Sequence, residues 1–266
     1  MRSILLSAVV LIVIAGLGAF DSAHAAALAF DSAADPAYAP YLSSSELPKG
    51  INGGYGWGSG WIGLGGQPYL DMRVLGTAGF TFTSPFTSPG YEWFLPYSSG
   101  FETTSYVERF FNGGLEPGQT FSVDFLSWGQ SFYLVDANGN EVYQIDTGLQ
   151  ANNYRFTYIG QPYTQRQIAV PFGVPYTDEG EHFSITPVDA NDAILSIASY
   201  GPGGGTSSIK MPYSTIGGVV FENEKEVNVG VNNMSITPEP GAAAPFAAVG
   251  LGLLLWRRRK RQSSIA

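Results

Sequence analysis

The sequence predicts an all-β protein built as a β-sandwich or jelly roll. About a dozen short runs rich in aromatic and β-branched residues alternate with turns that contain Gly, Pro or Asn. Several of these runs alternate apolar with polar residues, which is typical of strands with one buried face. Between Ala26 and Pro240 no long amphipathic run predicts a helix that could form a layer over the sheets.

The predicted strands cover most of the body of the chain. In order, they span residues 69–75, 79–83, 91–95, 104–111, 120–126, 131–136, 141–146, 154–158, 165–170, 181–186, 193–199, 207–211, 217–222 and 226–236. In the fifth run, Phe121, Val123 and Phe125 alternate with Ser122 and Asp124. The apolar residues of such a strand are expected to face the core and the polar residues the solvent.

The strongest hairpin signal is the loop of residues 137–140, Ala-Asn-Gly-Asn, between two predicted strands. Because Asn-Gly tolerates positive φ angles, the loop predicts a type I′ turn. Asp136, Asn138 and Asn140 also have the spacing of oxygen ligands that opens an EF-hand loop, but the glutamate at the twelfth position is absent. We favour the turn and expect no cofactor, with calcium here or in the loop of residues 189–192 as the alternative.

Two segments precede the predicted strands. Residues 26–49 are rich in Ala, Ser and Pro and predict an irregular lead-in. Residues 50–66 hold nine glycines, too many for a regular element, and predict a tight loop or an edge segment. Aromatic residues in this loop are candidates for stacking on sugar rings, although packing in the core is the interpretation that we favour. The candidates are Tyr55, Trp57 and Trp61.

The N-terminus predicts export. Arg2 precedes an apolar run of residues 4–20, and Ala23 and Ala25 supply the small-x-small pattern of a signal-peptidase site. We therefore expect a signal helix that signal peptidase removes after Ala25.

The C-terminus predicts a transmembrane helix whose end lies in the cytoplasm. Pro238, Glu239 and Pro240 are followed by the uncharged, largely apolar residues 241–256. As a helix this segment would be about 24 Å long, slightly short of the ~30 Å hydrocarbon core, and basic side chains can cover the difference. A basic cluster, which marks the cytoplasmic side, comes next. It consists of Arg257, Arg258, Arg259, Lys260 and Arg261.

This order of features resembles the PEP-CTERM sorting signal of Gram-negative bacteria, which exosortase-type membrane enzymes read. The resemblance covers residues 237–266. It implies that the precursor is held in the inner membrane only transiently, is cut near Pro238, Glu239 and Pro240, and reaches the cell surface or the extracellular matrix. An ordinary tail anchor with a proline hinge is the alternative.

Two stretches of the body extend the resemblance. Residues 118–125 (Gly-Gln-Thr-Phe-Ser-Val-Asp-Phe) and residues 231–236 (Val-Asn-Asn-Met-Ser-Ile) are similar to parts of many PEP-CTERM ectodomains. Such ectodomains look similar to concanavalin-like or laminin-G-like sandwiches, so the resemblance implies that fold. A shared fold does not fix a shared function.

Charge and composition exclude several classes of function. Of the 13 basic and 22 acidic residues, one of each lies in the predicted signal peptide and five basic ones lie in the tail, which leaves the body at −14. A body this acidic is a poor partner for nucleic acid, which requires a basic surface. The chain has no cysteine, so disulfides and thiolate chemistry are excluded.

Catalytic patterns are weak. His182, the only histidine outside the signal peptide, would have to be the base of a Ser-His-Asp triad, but it is expected to face solvent. The sequence also lacks the Gly-x-Ser-x-Gly motif that holds the nucleophilic serine of many hydrolases. Glu179 and Glu181 stand in a turn-like run, and Glu222, the first of three alternating glutamates, stands in what reads as a polar loop. Neither set resembles the paired carboxylates of a glycan hydrolase. We therefore predict that the chain is not an enzyme.

The predicted organisation is a signal peptide (1–25), an irregular lead-in (26–49), a β-sandwich ectodomain (50–236) and a sorting signal (237–266). We expect an exported, exosortase-sorted and non-enzymatic protein associated with exopolysaccharide at the cell surface. The expected partners are signal peptidase, an exosortase-type enzyme and a polysaccharide. A lectin-like glycan-binding module is the first alternative function, and a glycan-active hydrolase is the second.

Overall fold

The computed structural model describes residues 27–41, 50–65, 71–74, 91–95, 105–127, 131–148, 153–159, 167–175, 180–223 and 229–238. Residues Ala27–Thr237 form one compact unit. The predicted signal helix, the basic cluster, the strand at 79–83, and the sorting motif apart from Pro238 lie outside the described residues. Within those residues, no helix has the length and hydropathy needed to cross a membrane.

Fifteen strands form the described part of the fold, with one 3₁₀ helix at Pro36–Tyr41. The strands are β1 (Ala29–Asp31), β2 (Ile62–Gly65), β3 (Asp71–Val74), β4 (Tyr91–Leu95), β5 (Ser105–Phe110), β6 (Gln119–Ser127), β7 (Ser131–Val135), β8 (Glu141–Gly148), β9 (Asn153–Tyr158), β10 (Gln167–Pro175), β11 (Glu181–Pro187), β12 (Asp192–Ser199), β13 (Thr206–Pro212), β14 (Gly218–Asn223) and β15 (Val229–Pro238).

These strands form two antiparallel sheets. The first sheet has the order β13-β12-β11-β6-β15-β4-β3, with β1 added to β15, and the second has the order β10-β9-β8-β7-β14-β5-β2. Aromatic rings join the sheets, since Phe132 of the second sheet lies with its ring centroid 4.9 Å from Phe125 and 5.0 Å from Phe183 of the first. The prediction of an all-β sandwich is confirmed.

The alternation in β6 has the predicted orientation. Phe121, Val123 and Phe125 are buried, at 0–2% exposure, while Ser122 remains partly exposed. β11 and β12 show the same two-residue period. The apolar faces of the two sheets pack against each other, so the core lies between the sheets. The other face of each sheet points outward and carries the polar residues.

The hairpin between β7 and β8 exists, but its predicted turn type is wrong. Only Gly139 in the loop has a positive φ, of 81°, whereas a type I′ turn would require one at Asn138 as well. The amide of Gly139 donates to the carbonyl of Asp136 over 3.1 Å, and the register shifts between Leu134 and Val135. Residues 136–139 therefore form a turn whose central residues have negative φ angles, and the left-handed Gly139 that ends it lets the chain enter β8 with the twist of the strands.

The two segments that precede the predicted strands contain regular structure, and β2 lies at the edge of its sheet, which agrees with the edge segment that was one of the two predictions for residues 50–66. The lead-in carries β1 and the 3₁₀ helix, and the glycine-rich loop carries β2 and an antiparallel bridge between Tyr55 and Phe30. Gly54 explains the close approach, because a Cβ atom there would lie 2.0 Å from the carbonyl oxygen of Phe30. Glycine thus lets the loop lie directly on β1, where any side chain would clash.

A buried ion pair joins β1 to the second sheet. Asp31 of β1 and Arg109 of β5 are in contact, and both side chains are fully buried. The Tyr38 hydroxyl donates to Asp31 Oδ2 over 2.7 Å and accepts from Arg109 Nη1 over 3.2 Å. Arg109 Nη2 also donates to Asn52 Oδ1 over 2.7 Å and to the carbonyl of Gly53 over 2.8 Å. These bonds compensate much of the cost of burying two charges.

Removing one member of this pair should destabilise the whole unit. We expect Asp31→Ala to lower the free energy of unfolding by about 3–5 kcal/mol, because Arg109 would remain buried without its counter-charge. Urea denaturation of the full chain measures the change. Glu116→Ala, at an exposed acid in a loop, is the control and should change it by less than about 0.5 kcal/mol. Equal effects from both substitutions would contradict the role of the ion pair.

Candidate functional site

The structure places two of the three predicted sugar-stacking residues inside the core. Trp57 is 6% exposed and Trp61 is fully buried. The guanidinium carbon of Arg109 lies 4.7 Å from the Trp57 ring centroid and 5.3 Å from that of Trp61, and the Trp93 ring packs on Trp61 at 5.1 Å. Their ring faces are therefore occupied, and these two tryptophans pack in the core, which is the interpretation favoured from the sequence, rather than being open for stacking on sugar. Tyr55 is exposed.

The candidate calcium loop is occupied by its own hydrogen bonds. Asp136 Oδ1 accepts from the backbone amides of Asn138 and Asn140 over 2.8 and 2.9 Å, and Oδ2 accepts from Asn140 Nδ2 over 2.8 Å. Burial raises the pKa of Asp136, but the bonds from Asn140 and Asn138 outweigh it, and the pKa is lowered. The described residues contain no group of three or more His, Asp or Glu placed to hold a metal ion.

The outer face of the first sheet carries a histidine–carboxylate pair. Asp124 of β6 and His182 of β11 are directly opposite each other in the sheet. His182 Nδ1 lies 2.7 Å from Asp124 Oδ1, and the side chains are 42% and 7% exposed, respectively. The sandwich thus holds a nearly buried carboxylate against a histidine that is open to solvent.

Two further residues hold Asp124 in place. The Tyr200 hydroxyl donates to Asp124 Oδ1 over 3.0 Å, and Asn233 Nδ2 donates to Oδ2 over 2.8 Å. Asn233 has a left-handed backbone, with φ at 49°, which is uncommon for residues other than glycine. Burial, followed by the charge of Asp124, raises the pKa of Tyr200, so its hydroxyl stays protonated and continues to donate.

This arrangement determines which nitrogen of His182 is available to a ligand. A carboxylate only accepts hydrogen bonds, so Nδ1 of a neutral ring must carry the proton that it shares with Asp124. Nε2 of that ring is then an acceptor on the exposed side of the pair. Chemically, Nε2 can accept a hydrogen bond from a ligand hydroxyl or take a proton from it.

A row of serines crosses the same face next to the pair. The strand registers place Ser122, Ser184, Ser196 and Ser208 directly opposite one another across β6, β11, β12 and β13. Ser235 of β15 extends the row through a 2.8 Å hydrogen bond to Ser122. With strands about 4.8 Å apart, five hydroxyls follow one line over roughly 19 Å. We call Asp124, His182, Asn233 and this row the polar face.

The sequence predicted part of the polar face but not its centre. His182 does point away from the core, and its run does alternate as expected. Its partner could not be predicted, because β11 pairs with β6 through contacts far apart in the chain. Glu181 and Glu222 stand at the ends of predicted strands, next to runs that read as polar turns, and in the structure they belong to β11 and β14 and are 1% and 4% exposed.

Comparisons with known proteins find similarity of fold to solved sandwich structures. No family model and no curated protein matches the chain. A carbohydrate esterase from the Shiga toxin-encoding bacteriophage phi24B is 12% identical, with a TM-score of 0.45 over 68% of this chain and 90% of that one. An endo-acting O-glycanase structure from the human gut microbiota, concerned with mucin breakdown, is 8% identical, with a TM-score of 0.46 over 80% and 99%.

A third similar structure is a domain shown with a bound sugar. The exoplasmic/lumenal domain of VIP36, in a form bound to Ca²⁺ and Man3GlcNAc, is 7% identical, with a TM-score of 0.38 over 55% of this chain and 78% of that one. At these identities the likeness concerns the sandwich fold alone.

These matches correct the prediction that the chain is not an enzyme. Two of the three structures described above are a carbohydrate esterase and an O-glycanase. The sandwich is shared with glycan-active enzymes, and its presence gives no reason to exclude catalysis.

The protonation of His182 provides a direct test of the pair. We expect ring ¹⁵N spectra of the full chain at neutral pH to show His182 protonated at Nδ1, because Asp124 accepts that proton. His182→Gln assigns the signal, since His24 is the only other histidine. In Asp124→Ala the Nδ1-protonated form should no longer be favoured. An unchanged ring spectrum in that variant would contradict the pairing.

Proposed function

We propose that the chain is exported, sorted through its C-terminal tail, and binds a glycan on the polar face. The observation that carries this proposal is that the nearly buried Asp124 holds His182 at the edge of a row of serine hydroxyls. The proposed occupant is an extracellular polysaccharide.

The chemistry of the polar face matches that of sugar hydroxyls. A sugar hydroxyl both donates and accepts hydrogen bonds, and the face offers groups of both kinds. His182 Nε2 is an acceptor, and each serine hydroxyl can donate or accept. The row of serines carries no bulky side chain, so an extended glycan could lie flat along it.

The positions of the chain ends support the proposed sorting. β15 ends at Pro238, so the Pro-Glu-Pro triplet begins where the sheet ends. β1 pairs with β15, and the amide of Leu28 donates to the carbonyl of Ile236 over 2.7 Å. The first and last strands of the sandwich are therefore neighbours in one sheet. This is compatible with a precursor whose N-terminal and C-terminal segments are held in the same membrane. In this account the mature protein reaches the cell surface or the exopolysaccharide matrix.

Replacing His182 should weaken glycan binding. We expect His182→Gln to lower the affinity about tenfold, the effect of losing one hydrogen bond of about 1.4 kcal/mol. A glycan array, supplemented with exopolysaccharide from the producing organism, identifies the ligand, and calorimetry with the full chain measures the affinity. Glu116→Gln, at an exposed loop residue, is the control and should bind normally. The absence of binding to every glycan by the unmodified chain would contradict the proposal.

Removing the basic cluster should block sorting. We expect a chain that lacks residues 257–261 to remain in the membrane with its tail uncut, because the cations hold the cytoplasmic end of the apolar segment. Mass spectrometry of cell fractions measures the length of the product. Replacing Lys210, a cation on β13, with Gln is the control and should leave processing unchanged. Normal cutting in the absence of the cluster would contradict this mechanism of sorting.

A further inference from the structure

The outer face of the second sheet holds two glutamates on neighbouring strands. In β5 and β14 the inward positions are taken by fully buried residues such as Val107 and Phe221. The intervening residues, which include Glu108 and Glu222, therefore belong to the outer face. Although they lie outside the core, Glu108 is 8% exposed and Glu222 is 4% exposed. Burial of two carboxylates on an outer face requires a reason, because acids are almost never buried unless paired.

Strand register sets the separation of the two glutamates. Glu108 is directly opposite Val220 in the β5–β14 pair, so Glu222 occupies the diagonal position two residues along. Diagonal neighbours in antiparallel strands are about 7–8 Å apart. This is a distance between backbone positions, and from it two glutamate side chains can place their carboxyl groups at the ~6.5–9.5 Å separation that leaves room for a water molecule between catalytic carboxyls.

The two carboxyl groups have different environments. Glu222 Oε2 accepts a hydrogen bond from the Tyr133 hydroxyl, which favours its charged form. The Glu108 side chain makes no hydrogen bond or ion pair with any residue that the structure describes. Burial raises the pKa of Glu108, which favours its protonated form. On the same face of a sheet, a carboxyl whose protonated form is favoured and one whose charged form is favoured can act as an acid and a base.

A metal ion explains this arrangement less well. Calcium requires six to eight oxygen ligands at roughly 2.3–2.6 Å, and magnesium about six. Glu108 and Glu222 supply carboxylates from only two residues, and the described residues contain no cluster of three or more acids. The raised pKa of Glu108 also opposes the deprotonated form that a metal would need.

We propose that Glu108 and Glu222 are a general acid and a general base that hydrolyse a glycosidic bond in a single displacement. Glu108 gives its proton to the departing oxygen as the bond from that oxygen to the anomeric carbon breaks. Glu222 takes a proton from water as the water oxygen forms the new bond to that carbon. The products are a hemiacetal and an alcohol, and the two glutamates exchange protons with solvent to return to their starting states.

This activity goes beyond the proposed glycan binding. It uses the opposite sheet and shares with the polar face only the class of ligand. The two proposals can therefore fail independently, provided that glycan binding and bond cleavage are measured on the same variants.

The test compares two leaving groups on the full chain. The probes are 2,4-dinitrophenyl and phenyl glycosides of glucose, galactose, mannose and N-acetylglucosamine. We expect Glu108→Gln to slow release of phenol by about 10²–10⁴-fold and to leave release of dinitrophenol nearly unchanged, since that leaving group needs no proton. Glu222→Gln should slow both reactions by about 10²-fold or more, because both need an activated water. Glu116→Gln, at an exposed loop acid, is the control and should hydrolyse both probes normally.

Three results would overturn the proposal. The first is that the unmodified chain hydrolyses none of the probes. The second is that Glu108→Gln slows both leaving groups equally, which would give Glu108 a structural role. Tyr133→Phe keeps both glutamates and removes the hydrogen bond from Tyr133 to Glu222. We expect it to slow both reactions, and it keeps the proposal testable if a glutamate variant fails to fold. Normal rates in Tyr133→Phe would exclude Glu222 as the base that Tyr133 holds.

Discussion

The buried ion pair between Asp31 and Arg109 is the interaction on which the other parts of the molecule depend. It fixes β1, and with it the partner strand β15, against the second sheet. In the chain its residues are close to both proposed sites. Arg109 follows Glu108 in β5, and Ser32, which follows Asp31, donates a hydrogen bond to Asn232, the residue before Asn233.

The sequence predicted strands well where the signal was local. The run at 91–95 matches β4, and the alternating residues of β6 and β11 face as expected, because a two-residue period depends only on near neighbours. It missed β1, which is too short to show a period, and predicted an edge segment for the region of β2 only as an alternative to a loop, because that strand is short and rich in glycine. Strand pairing is a property of the whole fold, so neither the pair of Asp124 with His182 nor that of Glu108 with Val220 could be predicted.

The aromatic residues show how composition can mislead about a site. Trp57 and Trp61 stand among glycines, a context that left sugar stacking open as the alternative to the favoured core packing. The glycines instead bring the backbone against β1 and close the loop over Arg109, which takes up the indole faces. The groups left for a ligand are small and polar. The proposed recognition by the first sheet would therefore depend on directed hydrogen bonds around His182 rather than on burial of aromatic surface.

Glycan binding on the polar face is the central claim of this account, and chemical-shift mapping tests it most directly. In ¹⁵N spectra of the full chain, a bound glycan should shift the backbone amides of Asp124, His182, Ser184 and Ser196, which adjoin one another on β6, β11 and β12. Amides of the second sheet should move far less, because the core separates them from the ligand. Shifts confined to the second sheet, or none with any glycan bound by the array, would contradict it.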